Sequence, residues 1–481
     1  MTSLLTPGML VAAWVGLAVI GALGGLPRRA GLQVWLLAAA LALPVGIAVT
    51  SVTAFLWLVT LRPAVPWSGY IAVEILLAAG LTAAWLLRRP ARACPTPQGL
   101  GHPTSWWLLG LGTISVGVLL VRLVRAWLIA TFRSPLGDWD AWAIWNLRAR
   151  FLFSAEAWRH GFSPEIAWSH PDYPLLLPSS VARGYGLTGE PTWAAPAVLA
   201  LIFLLAIPAV AALAVARLRG TVPALVTAAL CLGVVYSSLV FSQYADMPLA
   251  LYFMGANALL LLAHWSPDSR WMWPLAGLMA GALVWTKNEG WVMLVALVAT
   301  ELLVCRWPAP AARPARSDGL AFALGLLPML VVTIGFKVAL APANDMVARA
   351  LWAQLASPAR IALVARHLAS LLVAPGPFHL PLVPLLAGYL LLQGARMPAA
   401  ARPAVQALAL RIGLVLAAYG AIYAITPLPL QWHLETSAQR LFMQVLPSLI
   451  LMVLAAAGDP THADAPEAPD AATSAGEMSP G

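Results

Sequence analysis

Apolar runs separated by short polar breaks set the pattern of this chain. They fall at residues 7–26, 32–61, 69–87, 105–132, 193–216, 222–241, 247–263, 271–285, 291–304, 320–340, 380–392, 408–425 and 441–457. A helix rises about 1.5 Å per residue and the hydrocarbon core of a bilayer is about 30 Å thick, so runs near twenty residues read as membrane-spanning helices. The pattern predicts an all-α polytopic membrane protein with about thirteen transmembrane helices. The stretch 344–372 is too polar to span. Its Arg349, Arg360 and Arg366, interleaved with Leu, Val and Trp, predict short amphipathic helices at the membrane interface.

Composition agrees with this reading. The 481 residues are 61% hydrophobic and 10% charged, with a mean hydropathy of +0.82, whereas a soluble domain carries roughly a quarter charged residues. The net charge of +9 resides in arginine clusters in short loops: Arg28-Arg29, Arg88-Arg89 with Arg92, Arg217 with Arg219, Arg306 with Arg313 and Arg316, and Arg396 with Arg402. That is the positive-inside signature of cytoplasmic loops, and no basic stripe suggests nucleic acid. Arg122 and Arg125 fall inside the fourth run. Either the membrane part ends near Val121 or these arginines face a polar cavity. Cys94, Cys231 and Cys305 show neither disulfide nor metal spacing. The first basic pair follows the first apolar run, so that helix is expected to be retained with its N-terminus outside.

With the arginine loops in the cytoplasm, a long outer loop runs from 133 to 192. It carries Gly137-Asp138-Trp139-Asp140-Ala141-Trp142-Ala143-Ile144-Trp145-Asn146-Leu147-Arg148-Ala149-Arg150, with two carboxylates, three tryptophans and two arginines, and Ser169-His170-Pro171-Asp172-Tyr173-Pro174. Three more polar islands fall on the same side: Ser242–Asp246, Thr286-Lys287-Asn288-Glu289-Gly290, and Gln431–Arg440. Carboxylates beside membrane-embedding sequence are costly unless a wet site or a partner receives them.

Each island also has a plainer reading. Asp138 fits an N-cap and Asp140 a first helical turn, with Trp142, Trp145 and Ala149 on one face of a short interfacial helix. His170 and Asp172 fit a rigid proline turn, and Asp246 a cap for the next helix. Lys287 is one of only two lysines among 28 basic residues, and at this depth it needs an anion; Glu289 is a candidate, although i,i+2 spacing does not join side chains within one helix. His433, Ser437, Arg440 and Gln444 recur on one helical face, which suits an anionic phosphate as well as a snorkelling arginine.

The order of these islands resembles the GT-C-fold glycosyltransferases: an outer-loop Asp motif, then His170-Pro-x-Tyr173-Pro, Gln243-x-x-Asp246-x-Pro, Thr286-Lys-Asn-Glu-Gly and Trp432-His-Leu-x-Thr-Ser-x-x-Arg440. The nearest group is the bacterial membrane proteins related to protein O-mannosyltransferases and the lipid A aminoarabinose transferase. The resemblance covers about residues 105 to 457. It implies a GT-C-like bundle, with residues 1–104 as an N-terminal three-helix extension and 458–481 as a disordered cytoplasmic tail. It further implies an inverting transferase that moves a sugar from a polyprenyl-phosphate donor to a glycan, lipid or protein acceptor. Asp140 matches the catalytic base, with Asp138 as its rival. Lys287, His433 and Arg440 match donor-phosphate positions, and His170, Asp172, Tyr173, Gln243, Asp246 and Glu289 the substrate-binding positions. No cofactor is implied. Two nearby carboxylates could hold a divalent metal, but no second acidic pair at ligand spacing supports one. The chain departs from the family in its three preceding helices and in lacking a large outer domain, which leaves the acceptor open. Arginine-rich, lysine-poor usage suggests a bacterial cytoplasmic membrane, with the site on its periplasmic face. A flippase without chemistry is the other reading. Against it stand the lack of an inverted repeat or paired broken helices and the concentration of polar residues on one face.

Overall fold

Each apolar run contributes a helix among the residues that the computed structural model describes, 5–27, 30–61, 66–88, 106–234, 241–265, 271–306, 314–344, 351–373, 381–395, 397 and 401–457. Arg28, Arg29, Arg89, Arg92, Arg313, Arg349, Arg396, Cys94, the expected boundary at 104 and the tail from 458 lie outside the described residues. In chain order the helices are α1 (Leu5–Val19, continued by a π turn Ile20–Gly24), α2 (Leu32–Thr60), α3 (Trp67–Leu87) and α4 (Trp106–Arg133). Then come α5 (Leu147–Phe153), α6 (Leu176–Thr188), α7 (Ala194–Arg219), α8 (Thr221–Val234), α9 (Asp246–Trp265), α10 (Trp273–Thr286), α11 (Glu289–Val304) and α12 (Arg316–Ala339). The last four are α13 (Pro358–Val373), α14 (Leu382–Gln393), α15 (Arg402–Ile425) and α16 (Leu430–Ala456). Among the described residues nine helices are long and apolar enough to cross a membrane: α1 with its π turn, α2, α3, α4, α7, α9, α12, α15 and α16. The protein is an all-α polytopic membrane protein. Four runs expected to span form the shorter helices α8, α10, α11 and α14.

α9 is the axis of the bundle. Every residue from Asp246 to Ala263 is buried, enclosed mainly by α7, α10 and α16. Lipid is as apolar as leucine, so burying such a helix in protein gains little hydrophobic energy; close packing and internal hydrogen bonds hold it instead. α10 crosses α12 at close range, as α1 crosses α2 through Gly16 and Gly46. A Cβ on Gly277 would lie 1.9 Å from the Phe322 carbonyl oxygen, and one on Gly325 would lie 1.8 Å from that of Pro274. Only glycine allows backbones this close. The contact fixes α10, and with it Lys287 at its end.

Two features depart from the sequence-based expectation. α16 begins at Leu430, not at 441: Thr436 and Ser437 return their hydroxyls to the Trp432 and His433 carbonyls at 2.8 and 2.6 Å, so the polar island is the first part of the last spanning helix. Polar residues are also not confined to one end. Arg411 on α15, 1% exposed, donates to Thr300 Oγ1 at 2.6 Å and Asn257 Oδ1 at 3.1 Å and pairs with Glu301. His264 meets Glu301 at 2.9 Å, and Asn257 donates to Ser448 at 3.2 Å. This network joins α9, α11, α15 and α16 within the bundle. Hydropathy misses it because one or two polar residues barely change a long apolar run, and each finds its partner on another helix.

Arg122 and Arg125 are exposed on α4, which continues through them to Arg133. The three N-terminal helices pack on the rest of the protein: Arg183 of α6 makes a buried bidentate pair with Glu74 of α3, at 2.5 Å for each bond, and donates to the Gly8 carbonyl at 2.8 Å. Trp285 likewise donates to Ser51 of α2 at 3.0 Å. The amphipathic stretch yields α13, with Ile361, Leu363 and Arg366 exposed, while Arg360 caps α15 by donating to the Ala424 carbonyl at 2.9 Å.

Candidate functional site

Asp246 opens α9 and is the hub of the site. Its Oδ2 accepts from Arg440 Nε at 3.1 Å and Nη2 at 2.9 Å. Its Oδ1 accepts from Lys287 Nζ at 3.2 Å and Gln444 Nε2 at 2.5 Å, and Tyr419 steadies the Gln444 amide by donating to its oxygen at 2.6 Å. The carboxylate therefore faces its neighbours, not its own helix, so it is no cap. Arg440 reaches on to Asp140 at 2.5 Å, and Lys287 to Glu289 at 2.6 Å. The result is one chain of alternating charge: Asp140, Arg440, Asp246, Lys287, Glu289. Its middle is buried, with side-chain exposures of 5% at Asp246 and 7% at Lys287, and its ends are open, 17% at both Asp140 and Glu289.

Local structure explains each placement. Lys287 is extended (φ −158°, ψ 158°) between α10 and α11, which is why it meets Glu289 despite their i,i+2 spacing. Burial alone would lower the Lys287 ammonium, but the Asp246 and Glu289 carboxylates outweigh it and hold the group above an ordinary lysine. Arg440 and Gln444 lie one turn apart on α16 and point the same way. The Arg440 guanidinium also rests 4.3 Å from the centre of the Tyr244 ring. Burial, then the Asp140 and Asp138 carboxylates, push the Tyr244 phenol up to about 12.

The two aspartates of the central motif separate. Asp138 turns back on its own chain, Oδ1 accepting from the Trp139 amide at 2.8 Å, that of the next residue and not the second or third amide that a helix cap takes. Asp140 makes no capping bond and faces Arg440. Gly137 (φ 78°) makes the turn: a Cβ there would lie 2.5 Å from the Ser242 carbonyl oxygen, which accepts from the Asp138 amide at 3.2 Å. Gln243, also at positive φ, pins the same turn by donating to the Pro135 carbonyl at 3.2 Å. Gly137→Ala is expected to destabilise the protein by about 1–3 kcal/mol through strain and this clash, read as a lower thermal midpoint in detergent; an unchanged midpoint would show that the turn tolerates a side chain.

After Asp140 the chain makes a π turn, Ala141–Asn146, a feature frequent at functional sites. The widened turn breaks the expected face. Trp145 and Ala149 are buried at 1% and 0%, while Trp142 and Trp139 are 48% and 45% exposed. Ser169 satisfies the Ala143 carbonyl, donating at 2.6 Å. Trp145 and His170 stack on Tyr173 with ring centres 5.7 and 4.9 Å away. Arg148, wholly buried, donates to the Tyr173 carbonyl at 2.5 Å, and burial lowers its guanidinium to about 10 against the pull of Asp172.

Asp172 belongs to a second cluster beside the first. Its Oδ2 accepts from Asn344 at 2.7 Å, Asn288 at 2.8 Å and Lys337 at 3.4 Å, and Lys337 also donates to Asn288 Oδ1 at 2.7 Å. Burial would raise the Asp172 carboxyl, but Asn344, Lys337, Asn288 and Arg148 hold it below the usual carboxylate range. The chain's two lysines thus stand on either side of Asn288. His433 joins neither cluster: it pairs with Thr426 Oγ1 at 2.9 Å, its ring against Tyr423. Lys337, Asn344 and Tyr419 lie outside the motifs read from the sequence, while Arg148, Tyr244 and Asn288 fall within them without an assigned role. For Lys337 a signal existed, the scarcity of lysine. For the rest the residue type alone is uninformative.

Among the described residues no three His, Cys, Asp or Glu side chains converge as metal ligands. What the site offers is fixed cations beside a reachable carboxylate, at one end of a membrane-embedded bundle. No protein-family model, curated protein or solved structure matches the chain.

Proposed function

We propose that the protein is an inverting glycosyltransferase of the GT-C kind, moving a sugar from a polyprenyl-phosphate donor to an acceptor hydroxyl at the outer face of a bacterial cytoplasmic membrane. The observation that supports this best is the charge chain from Asp140 to Glu289. When a glycosyl phosphate breaks, negative charge grows on the phosphate, and cations already fixed in place lower that barrier. Arg440 and Lys287 are fixed in this way by Asp246. A carboxylate at the open end of the chain can take the acceptor proton. Attack on the face opposite the departing phosphate inverts the anomeric carbon. Asp140 suits the base better than Asp138, whose carboxylate is engaged by its own backbone.

One observation favours a second reading, lipid-linked sugar transport: the Arg411–Glu301–His264 network buried between α9, α11 and α15, since buried ionisable groups in a membrane protein often mark a pathway. One experiment separates the two. Purified protein in liposomes, given labelled polyprenyl-phosphate sugar and membranes supplying acceptors, is expected to release polyprenyl phosphate, and Arg440→Ala to release about 100-fold less. Movement of intact donor between leaflets with no release of lipid phosphate would support the transporter.

A further inference from the structure

Every member of the charge chain is paired within it, and its most replaceable link is the one that holds Asp140. Arg440 bonds Asp246 through both Nε and Nη2 and lies over the Tyr244 ring, whereas it meets Asp140 through Nη2 alone. The Asp246 side chain is 5% exposed; those of Arg440 and Asp140 are 14% and 17% exposed. An anion arriving from the Asp140 end meets the Asp140–Arg440 pair first, where the cation is 14% exposed against 7% for Lys287 at the other end. It can replace one carboxylate without uprooting the guanidinium, which Asp246 and Tyr244 retain. Removing Asp140 from the pair frees the carboxylate oxygen that now accepts from Arg440 Nη2 to accept another hydrogen bond.

We propose that the Asp140–Arg440 ion pair is a latch opened by the donor: a phosphate oxygen takes Asp140's place on Arg440, and only then is the carboxylate released to act as base. The inference rests on the transferase reading and adds an order to it, donor before acceptor. With the latch open, Asp140 accepts the acceptor's hydroxyl proton and the acceptor oxygen bonds to the anomeric carbon. The bond from that carbon to the phosphate oxygen breaks, and its electron pair leaves with the phosphate, held by Arg440. Departure of the lipid phosphate lets Asp140, after losing its proton to water, return to Arg440. A site built this way keeps its base masked while no donor is present.

The test is binding of farnesyl phosphate, an isoprenyl monophosphate, to the full-length protein in detergent, with no acceptor present. If Asp140 competes with phosphate for Arg440, Asp140→Asn and Asp140→Ala bind the probe about tenfold more tightly than wild type, the scale of one charged hydrogen bond removed from competition. Asp138→Asn removes the same charge two residues away without touching Arg440, and its affinity stays within about twofold of wild type. Wild-type binding with no tightening in either Asp140 variant overturns the latch and leaves the transferase reading standing. Equal tightening in Asp138→Asn also overturns it, reducing the effect to general electrostatics. No binding by any form, wild type included, removes the donor reading and the latch together.

Discussion

Asp140→Asn is expected to abolish sugar transfer, by about 1,000-fold, while the protein folds normally. A positioned general base contributes roughly 100- to 10,000-fold, and asparagine preserves the shape of the side chain without its basicity. The structural cost is small because the Asp140–Arg440 pair is partly open to solvent, where such pairs contribute no more than about 1 kcal/mol, and Arg440 keeps Asp246. Transfer of labelled sugar, measured beside thermal unfolding in detergent, checks both halves. Asp138→Asn serves as the comparison: if it abolished transfer while Asp140→Asn kept most of it, the roles given to the two aspartates would be reversed.

The second large effect is on stability. Asp246 compensates two cations, Arg440 and Lys287, and also accepts from Gln444. Its side chain and that of Lys287 are almost fully buried. Asp246→Ala leaves the positive charges facing one another across a cavity, and breaking a buried pair from one side costs about 3–5 kcal/mol. The expected outcome is a large fall in the thermal midpoint, with loss of farnesyl phosphate binding in whatever protein remains folded. A midpoint close to wild type would show that Glu289 and water suffice to hold Lys287, and that Asp246 is not the hub of the site.

Two structural contrasts bear on how the site works. The sharing of Arg440 between Asp140 and Asp246 divides labour between carboxylates that look alike in sequence: the buried one holds cations and the open one is available for chemistry. The link between Arg183 and Glu74 ties α6 of the long loop to α3 and α1, so the N-terminal helices brace the segment that also carries the central motif.

The sequence by itself determined the all-α membrane class and marked out the polar islands from which the candidate site is drawn. Apolar runs can only be satisfied as helices in a bilayer, because backbone groups there must bond within their own segment; composition alone therefore identifies an all-α membrane protein. Polar islands such as Thr286–Gly290 stand out against that background for the same reason, since charge near hydrocarbon is costly without a partner. Which partner each charge takes was not legible. Asp140 and Arg440 are 300 residues apart in the chain, and only the packing of α9, α10 and α16 brings them to one hub. Periodicity assumed a regular helix after Asp140, and the π turn moved Trp145 inward and left Trp142 outside. The buried network of Arg411, Glu301 and Asn257 was hidden altogether, because one or two polar residues in a long apolar run barely change its hydropathy, whereas three helices packed together turn such residues into mutual partners. Local physics specifies which segments enter the membrane. Long-range packing alone decides which charges meet there.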